Sequence, residues 1–327
     1  MPELSFIIVN WNGGGLLRRT VESVVAHPPS VGYEVVVVDN DSHDDSLARL
    51  ESSPDAAALK ASGRLRVVRS GQNLGFGRAN NLAFQLTEAP LLFLLNPDTE
   101  VTPGGVDRLL DTLRADARVG AVGPRLVNED GSLQISVWRN PPAAWEMVLS
   151  QTPLHRLLPR ALRGELLLGG HWDHGRRRRV KMLSGAAILV RREVVDEVGG
   201  FDERFHMYGE DNEWCLRMAR AGWRLVFEPA AVVRHRGAAS SLKRWNQLEK
   251  LRVQLDASYS FQRYCLSRPR LVANLLASYS VASLQERWRR VRGRPTDEVG
   301  LARRAHLEHL KAALGVGAKA RPQAGTR

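Results

Sequence analysis

The sequence predicts an α/β fold with a mostly parallel sheet and a helical C-terminal extension. Short, continuous apolar runs alternate with helix-period segments through the first half, the pattern of strands buried on both faces. Helices between successive strands supply the crossovers that parallel pairing requires. Beyond residue 237 the strand-like runs stop and long helical patterns take over.

The elements follow in order. "LSFIIVN" (4–10) is the first strand, and "WNGGG" turns the chain into a helix over 16–25. "YEVVVVDN" (33–40) and "RLRVVRS" (64–70) are the second and third strands. A helix over 77–86 leads to "PLLFLLN" (90–96), and a helix over 104–114 to "VGAVGP" (119–124). Residues 138–180 lose this rhythm. Their prolines, tryptophans, histidines and the run Arg176–Arg179 read as an irregular insertion over a site. "AAILVRREVVDEVGGFDERF" gives a strand, a short helix and a glycine-marked stop. A helix over 210–221 precedes "WRLVFEPAAVVRH", which offers two strands. Helices over 242–265, 271–288 and 301–314 follow, and 316–327 reads as a disordered tail.

Of 327 residues 43% are hydrophobic, enough for a sizeable core. Two cysteines, Cys215 and Cys265, are too few for a disulfide framework and suit a reducing cytosol. The net charge of +12 is uneven. Residues 1–237 balance 29 basic against 29 acidic side chains, whereas 238–327 hold 18 against 6. That asymmetry points to an anionic partner for the extension. The opening "MPELSFIIVN" lacks a basic leader, and no run reaches the ~18–20 apolar residues that span a bilayer. A cytoplasmic protein, soluble or peripheral on the inner face of the membrane, is expected.

Ligands of open α/β sheets sit beyond the carboxyl ends of the strands. Asn10 ends the first strand, Asp39 and Asp41 follow the second, and Asn96, Pro97 and Asp98 follow the fourth. Turn and cap chemistry explains any one of these, since Asp and Asn favour such positions; three together point to a ligand. Carboxylates repel a phosphate unless a divalent cation joins them, and Mg²⁺ or Mn²⁺ takes one or two carboxylates plus phosphate oxygens. Asp98 is the natural ligand, and Asp39 can accept hydrogen bonds from a base or ribose. Neither G-x-x-x-x-G-K-[ST] nor G-x-G-x-x-G occurs. The set reads as a nucleoside-diphosphate site without a P-loop.

"FIIVNWNGG", "VVVVDNDSHDDS", "NLGFGRANNLA", "LLFLLNPDTEV", "LSGAAILVRREVVDEVGGFDERFHMYGEDNEWCLR" and "VVRHRG" resemble, in order, the conserved blocks of family-2 glycosyltransferases, in particular their bacterial rhamnosyltransferase-like branch. The likeness covers roughly residues 4–240. It implies a GT-A fold over 1–240: a nucleotide-binding half (1–125) and an acceptor-binding half (126–240), with the basic helical extension at 241–315. It implies inverting transfer of a sugar from a nucleotide donor, of the dTDP-rhamnose or UDP-sugar kind, to a cell-surface glycan or lipid-linked acceptor.

By resemblance, Asn10, Asp39, Asp41, Asn73, Asn80 and Asp98 form the nucleotide site. Asp98 matches the second acid of a D-x-D motif, and His235 falls where some members carry a further metal ligand. At Asn96 the sequence departs from D-x-D, and an amide is a weaker ligand for a hard cation. Asp211 matches the general base that deprotonates the acceptor hydroxyl. On the residues alone, Glu210, Asp211 and Glu213 could equally complement the dipole of their helix. Ser184 and Gly185, small residues that let backbone amides approach a ligand, fall beside the donor sugar. Glu210 and Trp214 are candidates for donor or acceptor contact, Trp214 serving equally well as core.

The C-terminal helices mix arginine with Trp, Tyr and Leu. A solvated face packed on the catalytic domain, an anionic membrane surface and a homodimer contact all fit; no nucleic-acid-binding motif is present. Two rival functions remain. A sugar nucleotidyltransferase would carry a glycine-rich, Arg/Lys-containing loop after the first strand to hold a triphosphate; "NWNGGGLLRRT" has the glycines and two arginines but no lysine. A non-catalytic binding protein would use only the basic extension.

Overall fold

The computed structural model describes residues 1–138, 141–205, 208–237 and 246–316. The chain divides into two compact units: Met1–Asn140 with Asp173–Lys243, and Pro141–Trp172 with Arg244–Arg327.

The first unit holds the sheet. Its elements are β1 (Leu4–Asn10), α1 (Gly15–Ala26), β2 (Tyr33–Asp39), α2 (Ser46–Glu51), α3 (Pro54–Ala61), β3 (Leu65–Arg69), α4 (Phe76–Gln85), β4 (Leu91–Leu95), β5 (Thr99–Val101), α5 (Gly105–Arg114) and β6 (Val119–Val127). After the excursion into the second unit, where α6 (Ala144–Gln151) and α7 (Arg160–Leu167) lie, come β7 (Arg178–Val180), β8 (Ala187–Arg191), α8 (Arg192–Val198), α9 (Glu210–Arg220) and β9 (Arg224–His235). The strand order is β3-β2-β1-β4-β8-β6-β9-β5, with β7 on β9. β1, β2, β3, β4, β6 and β9 run one way and β5, β7 and β8 the other, so the sheet is mixed but mostly parallel.

The central strands are largely apolar, as strands covered on both faces are, with the polar exceptions Ser5, Glu34, Asn10 and Asp39. Every residue of β1 and β4 is buried. One core cluster joins Phe6, Ile8, Val35, Val37, Phe93 and Leu95 of the sheet to Leu17, Val21, Leu109 and Leu113 of α1 and α5. Burying each such side chain contributes about 1.5–3 kcal/mol. This core fixes the register that sets the strand tips side by side: Asn10 pairs with Asp39, and Leu95 at the end of β4 pairs antiparallel with Ala187 at the start of β8.

Three readings are revised. "WRLVFEPAAVVRH" forms one long strand, β9, with a register shift opposite Pro124 and Arg125 that absorbs the Pro229 region. The 138–180 stretch is not irregular throughout, for α6 and α7 bury Met147 and Leu167. The short strands β5 and β7 gave no apolar run to read.

The second unit is helical: α6, α7, α10 (Gln247–Cys265), α11 (Arg268–Val291) and α12 (Asp297–Leu314). Asn246 caps α10 by accepting from the Glu249 N–H, with the Glu249 carboxylate returning to the Asn246 N–H. Leu271, Leu275 and Leu310 form its core, flanked by Tyr259, Leu266, Val272 and Ala313. The Asn274 amide ties α11 to Pro142 O at 2.7 Å and to Gln262 Oε1 at 3.1 Å. The expected helix start at 242–245 and the tail beyond 316 lie outside the described residues.

Candidate active site

The β1 and β2 tips form a closed polar knot. Asn10 Nδ2 donates to Asp39 Oδ1 at 2.9 Å, to Ser42 Oγ at 3.0 Å and to Ser46 Oγ at 2.8 Å. Asp39 Oδ2 accepts the Ser42 N–H at 3.3 Å, and both Asn10 and Asp39 are buried. Asn10 Oδ1 is buried without a partner among the described residues. Gly13 passes directly over it, where a Cβ would fall 2.4 Å away. Asp41, half-buried, takes φ = 67°, so the chain turns sharply just after β2.

Asn40 extends this knot to the next loop. Its Nδ2 donates to Asn73 Oδ1 at 3.1 Å, and its Oδ1 accepts the Leu74 N–H at 2.7 Å. Asn73 Oδ1 also accepts the Gly75 N–H at 3.0 Å, just ahead of α4. Asn80 is buried and donates to Phe76 O one turn back, so it shapes α4 from beneath.

After β4 the chain turns through Asn96–Pro97–Asp98–Thr99, closed by the Thr99 N–H and Thr99 Oγ1 on Asn96 O at 3.2 and 2.7 Å. Proline presets φ for such a turn. Thr99 pairs with His235 between β5 and β9, and this brings His235 Nε2 to 3.2 Å from Asp98 Oδ1 and 3.3 Å from Asn96 Nδ2. The other ring nitrogen, Nδ1, lies 2.5 Å from Gln134 Oε1. An amide oxygen only accepts, so Nδ1 carries a hydrogen and Nε2 is the ring nitrogen that faces Asp98. Asp98 also borders a cleft lined by Arg19, Glu100, Glu129, Arg234 and Arg236.

The donor set suits a hard divalent cation. Two ligands bound cis to an octahedral cation at about 2.1 Å stand about 3 Å apart, which the Asp98–His235 spacing of 3.2 Å matches. Gln134 orients the imidazole as an outer partner does in metal sites. Among the described residues no third His, Cys, Asp or Glu joins this pair. A cation here would draw its remaining ligands from Asn96, phosphate oxygens or water.

Beside β4, β8 begins at "LSGAA". The Asn96 N–H donates to Ala186 O at 2.9 Å, and the Gly185 N–H donates to Asp211 Oδ2 at 3.1 Å. Asp211 Oδ1 accepts the Asn212 N–H at 2.8 Å and Asn212 Nδ2 at 3.0 Å. A Cβ on Gly185 would meet Asp211 Cβ and Phe76 Cε1 at 3.4 Å, so glycine allows this close approach. Ser184 is half-buried on the same turn. Asp98 thus follows the end of β4, while Asp211, in the first turn of α9, is bonded to the turn that leads into β8, and these two strand ends are paired at the centre of the sheet.

The three acids of α9 differ. Glu213 is fully buried and paired with Arg217 Nε at 2.7 Å, and the same guanidinium donates to Gly200 O at 2.6 Å. It braces a turn. Glu210 is buried with Oε2 unpartnered among the described residues, and burial with the neighbouring Asp211 charge pushes its pKa up to about 8. Burial also raises Asp211, against the pull of its N–H donors. Three N–H bonds favour the charged form of Asp211, whereas Glu210 has only a backbone bond to set against burial and the neighbouring Asp211 charge, so of the two Asp211 is the better supported as a carboxylate.

Trp214 corrects one expectation. It is fully buried, its Nε1–H donates to Gly199 O at 2.9 Å, and it packs on Phe84 and Phe201. Its indole offers no face to a sugar. Burial pushes the Cys215 thiol up to about 12, which leaves it inert. Gln134 and Asn40 escaped the sequence reading, for they act through tertiary hydrogen bonds that no local pattern announces.

The profile of "Glycosyltransferase like family 2" matches residues 2–254. The N-acetylglucosaminyl-diphospho-decaprenol L-rhamnosyltransferase of Mycobacterium tuberculosis is 31% identical over 267 residues, covering 73% of this chain and 77% of that protein. The Myxococcus xanthus O-antigen biosynthesis protein RfbC is 29% identical over 73% of this chain but only 18% of its own length. Two solved structures share the architecture. GalNAc-T7, solved with UDP, GalNAc and Mn²⁺, has a TM-score of 0.56 at 19% identity over 94% of this chain and 55% of its own. The Pyrobaculum calidifontis mannosyltransferase, solved with GDP-Man and Mn²⁺, has 0.56 at 16% identity over 97% and 76%. The fold is of the GT-A type. With its family profile spanning most of the chain and that rhamnosyltransferase close to it in sequence, this chain belongs to the family-2 glycosyltransferases, in their rhamnosyltransferase-like branch.

Proposed function

We propose that this chain moves a sugar, rhamnose or a related hexose, with inversion from a dTDP- or UDP-sugar to a hydroxyl of a cell-surface glycan or lipid-linked acceptor. The observation that supports this reading is the pairing of the end of β4, which leads to the Asp98–His235 pair, with the start of β8, whose preceding Gly185 N–H is bonded to Asp211. The name of the mycobacterial relative supports rhamnose and a lipid-diphosphate acceptor.

In this reading Asp211 accepts the proton of the acceptor hydroxyl as its oxygen attacks the anomeric carbon. The bond from that carbon to the diphosphate breaks, and the nucleoside diphosphate leaves with the electron pair. Glu210, holding its proton, keeps a second negative charge away from the base. The Gly185 and Asn212 N–H groups aim the Asp211 oxygens. Ser184 and Gly185 line the donor-sugar side. Asp39, Asp41 and the Asn73 loop bound the nucleoside pocket, with Asn10 and Asn80 holding it from below.

Asp98 and His235 would hold Mg²⁺ or Mn²⁺, whose chemistry is to neutralise charge on the departing diphosphate. The two solved neighbours each contain Mn²⁺, in support of this choice. A thermal-shift screen of dTDP, UDP and GDP, each with and without Mn²⁺, tests donor and metal together, since a ligand of the native state raises Tm by mass action. Pyrophosphate release from a nucleoside triphosphate and a sugar phosphate would instead favour a nucleotidyltransferase.

A further inference from the structure

Exposed large apolar side chains cluster in the second unit: all of those described except Met1 and Ile135 lie there. The densest group follows one face of α11. Leu276, Leu284, Trp288 and Val291 fall within about a third of the helix circumference at 3.6 residues per turn, and they are 47%, 62%, 48% and 88% exposed. Arg287 lies on the same stripe and Arg270 flanks it nearer the start of the helix. At the other end the Arg292 and Arg294 guanidinium groups stand 4.8 and 5.2 Å from the centre of the Trp288 ring. Gln285 Nε2 donates to Gln151 O at 2.9 Å, and this carries the exposed Leu154 and Leu157 to the C-terminal half of α11.

We infer that this face of α11, centred on Leu284, Trp288 and Val291, with Arg287 on it and Arg292 and Arg294 at its end, docks on an anionic phospholipid surface. An aliphatic stripe beside a half-exposed indole, with arginines on it and at its end, is the make-up of an element lying in a membrane interface. Among the described residues Arg287, Arg292 and Arg294 form no ion pair, so their charge is available to lipid headgroups. Basic residues are drawn to an anionic leaflet, and salt screens that attraction. A second copy of the chain fits less well, because a two-fold contact on this face would set the arginines against their own images. Nucleic acid fits less well too, since it gives no apolar counterpart to Leu284 and Val291. No described helix is long and apolar enough to cross a membrane, so the contact is interfacial.

The inference does not depend on the catalytic reading and is tested without donor. The full chain is floated with vesicles of phosphatidylcholine alone and of phosphatidylcholine with phosphatidylglycerol, at low and high salt. The expected result is binding to the anionic vesicles only, weakened by salt. Leu284→Ser/Trp288→Ser and, separately, Arg292→Glu/Arg294→Glu should each reduce binding by about tenfold or more. All four side chains are solvent-exposed, and unchanged circular dichroism checks that the variants fold. Failure to bind anionic vesicles, or equal binding to neutral ones, overturns the inference. So does a lipid-free dimer in sedimentation that Leu284→Ser/Trp288→Ser dissociates, which would make this face a contact between copies.

Discussion

Asp98 Oδ1 and His235 Nε2 stand 3.2 Å apart, brought together by the pairing of β5 with β9. Gln134 accepts the Nδ1 hydrogen, which leaves Nε2 to face the carboxylate. Such a pair is stable when a cation or a proton lies between its members.

Cation binding is therefore expected to need both residues. Asp98→Asn and His235→Leu should abolish the Mn²⁺-dependent part of the nucleotide-induced Tm shift. Gln134→Leu frees the ring to rotate and should weaken Mn²⁺ affinity by about 10–100-fold. Thermal shift with a Mn²⁺ titration measures all three. An unchanged Mn²⁺ response in Asp98→Asn contradicts the site.

Much of this site was legible along the chain. Asn10, Asp39 and Asp98 announce themselves because buried apolar strands end abruptly in polar residues, and such ends gather ligands in this class of sheet. Asp211 stands out through the acidic first turn of α9. The sequence could not separate the acids there. Only the fold reveals that Glu213 is spent on Arg217 and that Trp214 lies against Phe84 and Phe201. β5 and β7 were invisible because three-residue strands at a sheet edge carry no periodicity.

A pH dependence of stability follows from Glu210. Its pKa in the folded protein, about 8, lies above the ordinary value of 4.5. The folded state thus binds more protons than the unfolded state in this interval. The stability is complete below the unfolded pKa and falls as pH rises from about 4.5 through about 8, by at most about 1.4 kcal/mol per pH unit. Glu210→Gln should flatten this slope and leave the variant at least as stable as the parent at pH 8. Urea denaturation across pH measures both, and equal slopes would show that Glu210 is already ionised.

Trp214 is core, so its truncation is a stability lesion. Trp214→Ala should cost about 3–5 kcal/mol. Trp214→Phe keeps most of the volume but loses the bond to Gly199 O, and it should leave the acceptor KM unchanged. A large rise in KM in the Phe variant, with kcat retained, would return Trp214 to the binding site.

Asp211 carries the central claim. The most direct test is the turnover of Asp211→Asn with whichever nucleotide sugar the thermal screen selects, at saturating donor and acceptor. Aspartate and asparagine match in size, and the Gly185 N–H keeps an oxygen to bond. Loss of the base should lower kcat by about 10²–10⁴-fold with nucleotide binding intact. Turnover within a few-fold of the parent would mean that another group takes the proton, and the mechanism proposed here would be wrong.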